Sequence, residues 1–82
     1  MSWANRDLQR IERRVEEAYQ RVVRCRRLIQ RLQADGRAAQ LSAAQGLLIS
    51  LQKNLDELRA HERIIIGEMA RETAAEARWR WR

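Results

Sequence analysis

Apolar side chains recur every three or four residues along the first half of the chain. The spacings alternate without a break from Leu8 to Leu32 and match the a and d positions of successive heptads. These positions hold Leu8, Ile11, Val15, Ala18, Val22, Cys25, Ile29 and Leu32. The pattern predicts a long amphipathic helix over about residues 5–34, ended by Gly36 in a left-handed conformation.

The second half of the chain repeats this spacing. Its apolar positions are Leu41, Ala44, Leu48, Leu51, Leu55, Leu58, Ile65 and Met69, and Glu62 interrupts the series. We predict a turn over about residues 35–38, a second helix over about residues 39–77, and a basic aromatic tail at residues 78–82. The segment Ser42–Gln45 matches a capping box, so the regular helix begins either at Ala43 or nearer Ala38.

Two long helices joined by a short turn favour an antiparallel hairpin, and residues 1–82 form a single all-α domain. The chain has no proline and is rich in helix-favouring residues. Eighty-two residues with one cysteine bury a small core without an intrachain disulfide, so we expect a second subunit to help.

Apolar residues outside the a and d positions also favour a second subunit, because a lone hairpin would leave them in water. They are Tyr19, Val23, Leu28, Leu47, Ile49, Ile64 and Ile66. We therefore predict a homodimer in which two hairpins form a four-helix bundle, a coiled coil with the heptad residues at its core.

The net charge of +6 comes from sixteen arginines and one lysine against eleven acids. No acid lies between Glu17 and Asp35, and Arg24, Arg27 and Arg31 share one helical face with Arg21 beside the core positions. Together with the tail, this segment is a candidate site for polyanions. Its residues are Arg21, Arg24, Arg27, Arg31, Arg78, Arg80 and Arg82. The alternative is a solvated face, or pairing of these arginines with Glu57, Glu62 and Glu68 of the other helix.

The tail sequence RWRWR places Trp79 and Trp81 among arginines. Such residues stack on the bases of single-stranded nucleic acid or anchor a chain at an anionic membrane surface. Alternatively, the tail folds back toward Trp3. The Ile64–Met69 region is either a well-buried part of the dimer core or a second candidate surface, which extends beyond the shorter first helix and binds a protein partner.

We find no catalytic, metal or cofactor site, and we expect no enzyme activity and no cofactor. The stretch HERII begins like the zinc-protease motif, but Ile65 stands where the second histidine is required, and His61 is the only histidine. Cys25 at a core position is expected to be a small buried residue, the alternative being a disulfide between two copies. No run approaches the roughly 18 apolar residues of a membrane span, and no secretory signal is recognisable, which predicts a cytoplasmic protein.

The segment RRLIQRLQADGRAAQL resembles a pattern of small, uncharacterised, arginine-rich bacterial helical-hairpin proteins. The matching residues are Leu28, Ile29, Arg31, Leu32, Asp35 and Gly36. The resemblance implies a hairpin and indicates nothing about function. We predict a non-enzymatic helical oligomerisation and protein-interaction module with a basic surface. The alternatives are nucleic-acid binding through the Arg21–Arg31 segment and the tail, and membrane-surface association through the tail.

Overall fold

The computed structural model describes the backbone of residues 3–80 and the side chains of residues 5–79. It contains two helices, α1 (Trp3–Ala34) and α2 (Ala38–Arg80), packed antiparallel in a rod of 69 × 16 × 15 Å. No strand occurs in this part of the chain. The predicted all-α hairpin is thus confirmed.

Three residues make the turn. Gly36 has a φ of 67°, the left-handed conformation that glycine adopts without steric cost. The Gly36 N–H donates to the carbonyl of Gln33 at 3.3 Å, and the Arg37 N–H donates to the carbonyl of Leu32 at 3.2 Å, which together form a Schellman motif. The Arg37 carbonyl accepts from the Leu41 N–H at 2.9 Å. Arg37 therefore both closes α1 and opens α2.

Because the turn is this short, α2 begins at Ala38, the earlier of the two predicted starting points. Ser42 lies inside the helix and does not cap it. The α1 helix begins at Trp3, two residues before the predicted start at about residue 5.

The core is a single stripe between the helices. At its centre, Ala18 and Val22 of α1 pack with Leu55 of α2. The buried apolar residues are Ile11, Ala18, Val22, Cys25, Leu32, Ala44, Leu55 and Ile65. The remaining a and d residues are half-buried: Leu8, Val15, Ile29, Leu41, Leu48, Leu51, Leu58 and Met69. Full burial of one large aliphatic side chain stabilises by about 1.5–3 kcal/mol, so half-buried positions leave much of that gain unrealised.

The register is set by the turn. The Cys25 thiol of α1 donates to the Ala44 carbonyl of α2 at 3.4 Å, and Asp7 and Glu68 line one groove near the open end of the hairpin. With 43 residues against 32, α2 extends about 16 Å past α1 at 1.5 Å per residue. Residues 70–79 are all exposed, as expected for this overhang.

One prediction about this end of α2 is wrong. The helix continues to Arg80 and does not end near residue 77, because Arg, Glu and Ala favour helix and nothing in the sequence stops it. Trp79 is 85% exposed in the single hairpin, and folding back of the tail on a dimer stays a prediction. The side chains of Trp3 and Arg80, and the whole of Trp81 and Arg82, lie outside the described residues. Within the described residues, neither helix is long and apolar enough to cross a membrane.

Candidate interaction surfaces

The hairpin has two broad faces, one on each side of its core. A groove on one face is lined by Tyr19, Val22, Arg26, Gln52, Leu55, Asp56 and Arg59. A groove on the other face, nearer the open end, is lined by Asp7, Arg10, Ile11, Arg14, His61, Ile64, Ile65 and Glu68. We assign Leu8 and Leu41 to heptad position a. The residues of the first groove then occupy positions e and b, next to position a. Those of the second groove occupy positions g and c, next to position d. The heptad position of any residue therefore assigns it to a face.

The first face carries an apolar centre. Ile49 is 68% exposed and Tyr19 is 42% exposed, and Val23 is half-buried. Val23 follows Tyr19 by one helical turn, Ile49 precedes Gln52 by one turn, and the antiparallel register brings the two segments side by side. We call Tyr19, Val23 and Ile49, with the neighbouring Gln45 and Gln52, the apolar face. Tyr19 lies at the middle of α1, so this face is close to the centre of the hairpin.

Most of the predicted polyanion-binding segment lies on the opposite side. Arg21 is one heptad beyond Arg14, and Arg24 and Arg31 are two and three heptads beyond Arg10, so all three share the face of the open-end groove. Arg27 lies between them on the outer edge of α1. We call Arg21, Arg24, Arg27 and Arg31 the arginine stripe, and all four are exposed. Arg26 is turned toward the apolar face.

The predicted pairing of this stripe with α2 glutamates is wrong for most of its length. The register places Glu62 and Glu68 toward the open end of the hairpin. Glu57 reaches only the end of the stripe that is nearer the open end. The α2 segment that lies opposite the rest of the stripe, residues 38–55, contains no aspartate or glutamate. These arginines consequently have no acid of α2 at their own level.

The charge of the whole chain is concentrated at one end of the rod. Residues 18–55, which form the half of the hairpin nearer the turn, contain seven basic residues and one acid, Asp35. The other residues contain ten of each sign. The turn half therefore holds the entire net charge of +6, and the open half is neutral. Sequence reasoning missed this division, although residues 18–55 are one continuous stretch centred on the predicted turn.

The expectation that the Ile64–Met69 region extends beyond α1 is wrong, while its binding to a protein partner stays a prediction. Ile65 is 6% exposed and belongs to the core near Ile11, so α1 covers this stretch. Ile64 is 58% exposed on the face of the open-end groove, and Ile66 is 48% exposed on the opposite face. Successive residues of a helix point about 100° apart, which is why three adjacent isoleucines do not make one patch.

Cys25 and His61 occupy very different environments. The Cys25 thiol is 5% exposed and is directed at the Ala44 carbonyl inside the hairpin. A disulfide between two copies would require the helices to separate. His61 is exposed and lines the open-end groove. Within the described residues, no three His, Cys, Asp or Glu side chains come close enough to hold a metal ion.

Leu28 and Leu47 are the remaining exposed apolar residues near the turn, at 43% and 50%. Both are g residues, so they lie on the face of the arginine stripe. Comparison of the chain with protein families, with characterised proteins and with solved structures found no match, and its function is therefore argued from these two faces.

Proposed function

We propose that this chain is a non-enzymatic oligomerisation module that forms a twofold-symmetric homodimer through the apolar face. The exposure of Ile49 and Tyr19 beside Val23 is the observation that carries the proposal. Transfer of such side chains out of water is favourable by about 1 kcal/mol or more each at these exposures. The neighbouring glutamines add no charge that would have to be desolvated, and the charged residues that line the groove on this side are Arg26, Asp56 and Arg59.

The dimensions of the rod suit a dimer. The length shared by the two helices is about 48 Å, and the rod is 16 Å wide. One whole side of the hairpin, with the apolar face near its centre, therefore presents on the order of 800 Å² per chain, the usual size of a specific protein interface. Packing two such faces produces four helices around a common core, and half-buried a residues such as Leu48 would become more deeply covered.

The charge distribution favours a dimer whose two rods run in opposite directions. Two copies related by a twofold axis through the apolar face run in opposite directions, so the turn of each copy lies toward the open end of the other. The two turns, each at the end of a basic half, then lie apart, which lowers the repulsion between those halves.

A matched pair of variants on α2 tests the proposal. Ile49→Glu puts a charge on the apolar face, and Leu47→Glu puts the same charge two residues away on the opposite face. We would measure molar mass by light scattering during size exclusion over about 1–100 μM, a range that covers weak and moderate dimers. The native chain and Leu47→Glu should have twice the monomer mass of 9.8 kDa, and Ile49→Glu should have the monomer mass with its helix content retained.

The proposal fails if the native chain is a folded monomer at every concentration. If Leu47→Glu dissociates and Ile49→Glu does not, the dimer uses the other face and the assignment made here is wrong. Association of the tail with a membrane surface stays a prediction, since it depends on Trp81 and Arg82.

A further inference from the structure

We propose that the arginine stripe is a second, independent binding site, which takes the phosphate backbone of a double-stranded nucleic acid without reading its sequence. The site consists of Arg21, Arg24, Arg27 and Arg31 on the outer side of α1, away from the apolar face. It requires no dimer. The duplex and the dimer partner would occupy opposite faces of the hairpin.

The electrostatic basis is the separation of charge along the rod. The turn half has seven basic residues against Asp35 alone, and the open half is neutral. A phosphate backbone is therefore attracted to one half of the molecule in particular. Arg24 and Arg27 have no acid of α2 at their own level and no acid within four residues along α1, so their guanidinium groups remain available to bind phosphate oxygens in a bidentate manner.

The stripe also has a suitable length and shape. From Arg21 to Arg31 it extends about 15 Å along a straight helix at 1.5 Å per residue. A duplex presents one phosphate charge about every 1.7 Å of its axis, so a stripe of this length faces several phosphates at once. Contacts of this kind position a protein on a duplex and supply affinity without discriminating between base pairs.

Two observations favour a duplex over other polyanions. The described residues of this face near the turn include no aromatic side chain, because Tyr19 lies on the apolar face, so the stacking platform of single-strand binding is missing. Stable membrane binding requires apolar insertion in addition to charge. In the turn half of this face, Leu28 and Leu47 are the exposed large apolar residues, at 43% and 50%, and they stand beside four arginines.

The test compares two quadruple variants of the full-length chain. The first changes Arg21, Arg24, Arg27 and Arg31 to glutamine. The control changes Arg6, Arg10, Arg13 and Arg14 to glutamine. Both sets are exposed residues of α1, and each variant lowers the net charge from +6 by the same four units. Glutamine has nearly the helix propensity of arginine, and circular dichroism would verify that both variants fold.

Binding would be measured by fluorescence anisotropy of a labelled duplex of about two helical turns, in two unrelated sequences and at several salt concentrations. Four phosphate contacts predict that native binding weakens about 100-fold between 50 and 200 mM salt. The stripe variant should bind at least about tenfold more weakly than the control, with a salt slope smaller by about three to four units. The two sequences should bind equally.

Several results would overturn the proposal. Equal losses in the two variants would mean that total charge, and not the stripe, attracts the duplex. Tighter binding to a single strand of the same length would transfer the site to single-stranded nucleic acid. Binding to phosphatidylserine vesicles in the absence of duplex binding would make it a membrane surface. Molar mass would be measured on the same variants to distinguish failure of this proposal from failure of the dimer proposal. The stripe variant should remain dimeric whether or not it binds a duplex.

Discussion

The three glycines should respond to alanine substitution in opposite directions. Gly46 and Gly67 lie within α2, and a Cβ added at either would meet no atom within 4 Å. Gly36 also has open space, but its φ of 67° lies in the left-handed region. At Gly46 and Gly67, alanine therefore reduces the backbone entropy that the unfolded chain loses on folding. At Gly36 the same change introduces steric strain in the folded state.

The magnitudes follow from these environments. Replacing a helical glycine by alanine should raise the free energy of unfolding by about 1 kcal/mol at Gly46 and again at Gly67. The two sites are 21 residues apart, so their effects should add. Gly36→Ala should lower the free energy by about 1–2 kcal/mol, the cost of the left-handed conformation for an L-residue. For a chain of this size, each kcal/mol moves Tm by about 4–8 °C.

Urea and thermal denaturation followed by circular dichroism would measure these effects, with every variant at one protein concentration because dimerisation makes Tm concentration-dependent. Gly46 and Gly67 are both f residues on the outer edge of α2, so neither substitution touches the faces discussed above. A loss of stability in Gly46→Ala would mean that another part of the molecule packs on this edge. A neutral Gly36→Ala would mean that the turn does not hold the left-handed conformation.

Three further measurements address the core and the overhang. Cys25 should react with a thiol reagent at least about tenfold more slowly in native protein than in urea, because thiol chemistry requires access; equal rates would contradict its burial. In urea denaturation, Leu55→Ala should lower the free energy of unfolding by about 2–4 kcal/mol. Leu47→Ala at a half-exposed position should lower it by less than about 1 kcal/mol in the monomer. Comparable losses would mean that Leu55 is not at the centre of the core. Deletion of residues 73–82 should change stability by less than about 0.5 kcal/mol, and a larger loss would show that the overhang packs on the hairpin.

The elements of the fold could be predicted because their causes are local. Heptad spacing specifies which side of each helix is buried, and a glycine followed by another amphipathic run specifies a turn. The distribution of charge could also be read from the sequence, since residues 18–55 are one continuous stretch centred on the predicted turn, but comparing the arginines by helical face alone does not reveal it. The three isoleucines at 64–66 were misleading because neighbouring residues of a helix point in different directions around its axis.

The ends of α2 show the limits of local signals in another way. Ser42 lies in a good capping pattern but does not cap the helix. The helix begins earlier, at the turn, because the Arg37 carbonyl already accepts its first hydrogen bond. The tail contains no breaker, so the helix passes through Trp79 although alternation of Trp and Arg also suits an extended strand.

Because Arg37 takes part in the end of α1 and in the start of α2, the two helices have a fixed rotation relative to each other. Since one residue closes α1 and opens α2, the rotation of α2 about its own axis is tied to that of α1. A residue inserted between Arg37 and Leu41 would turn everything after it by about 100° and carry Ile49 away from Tyr19 and Leu55 away from Val22. Mutations that alter length should therefore be tolerated near the free end of α2 and rejected beside the turn, whatever amino acid is added.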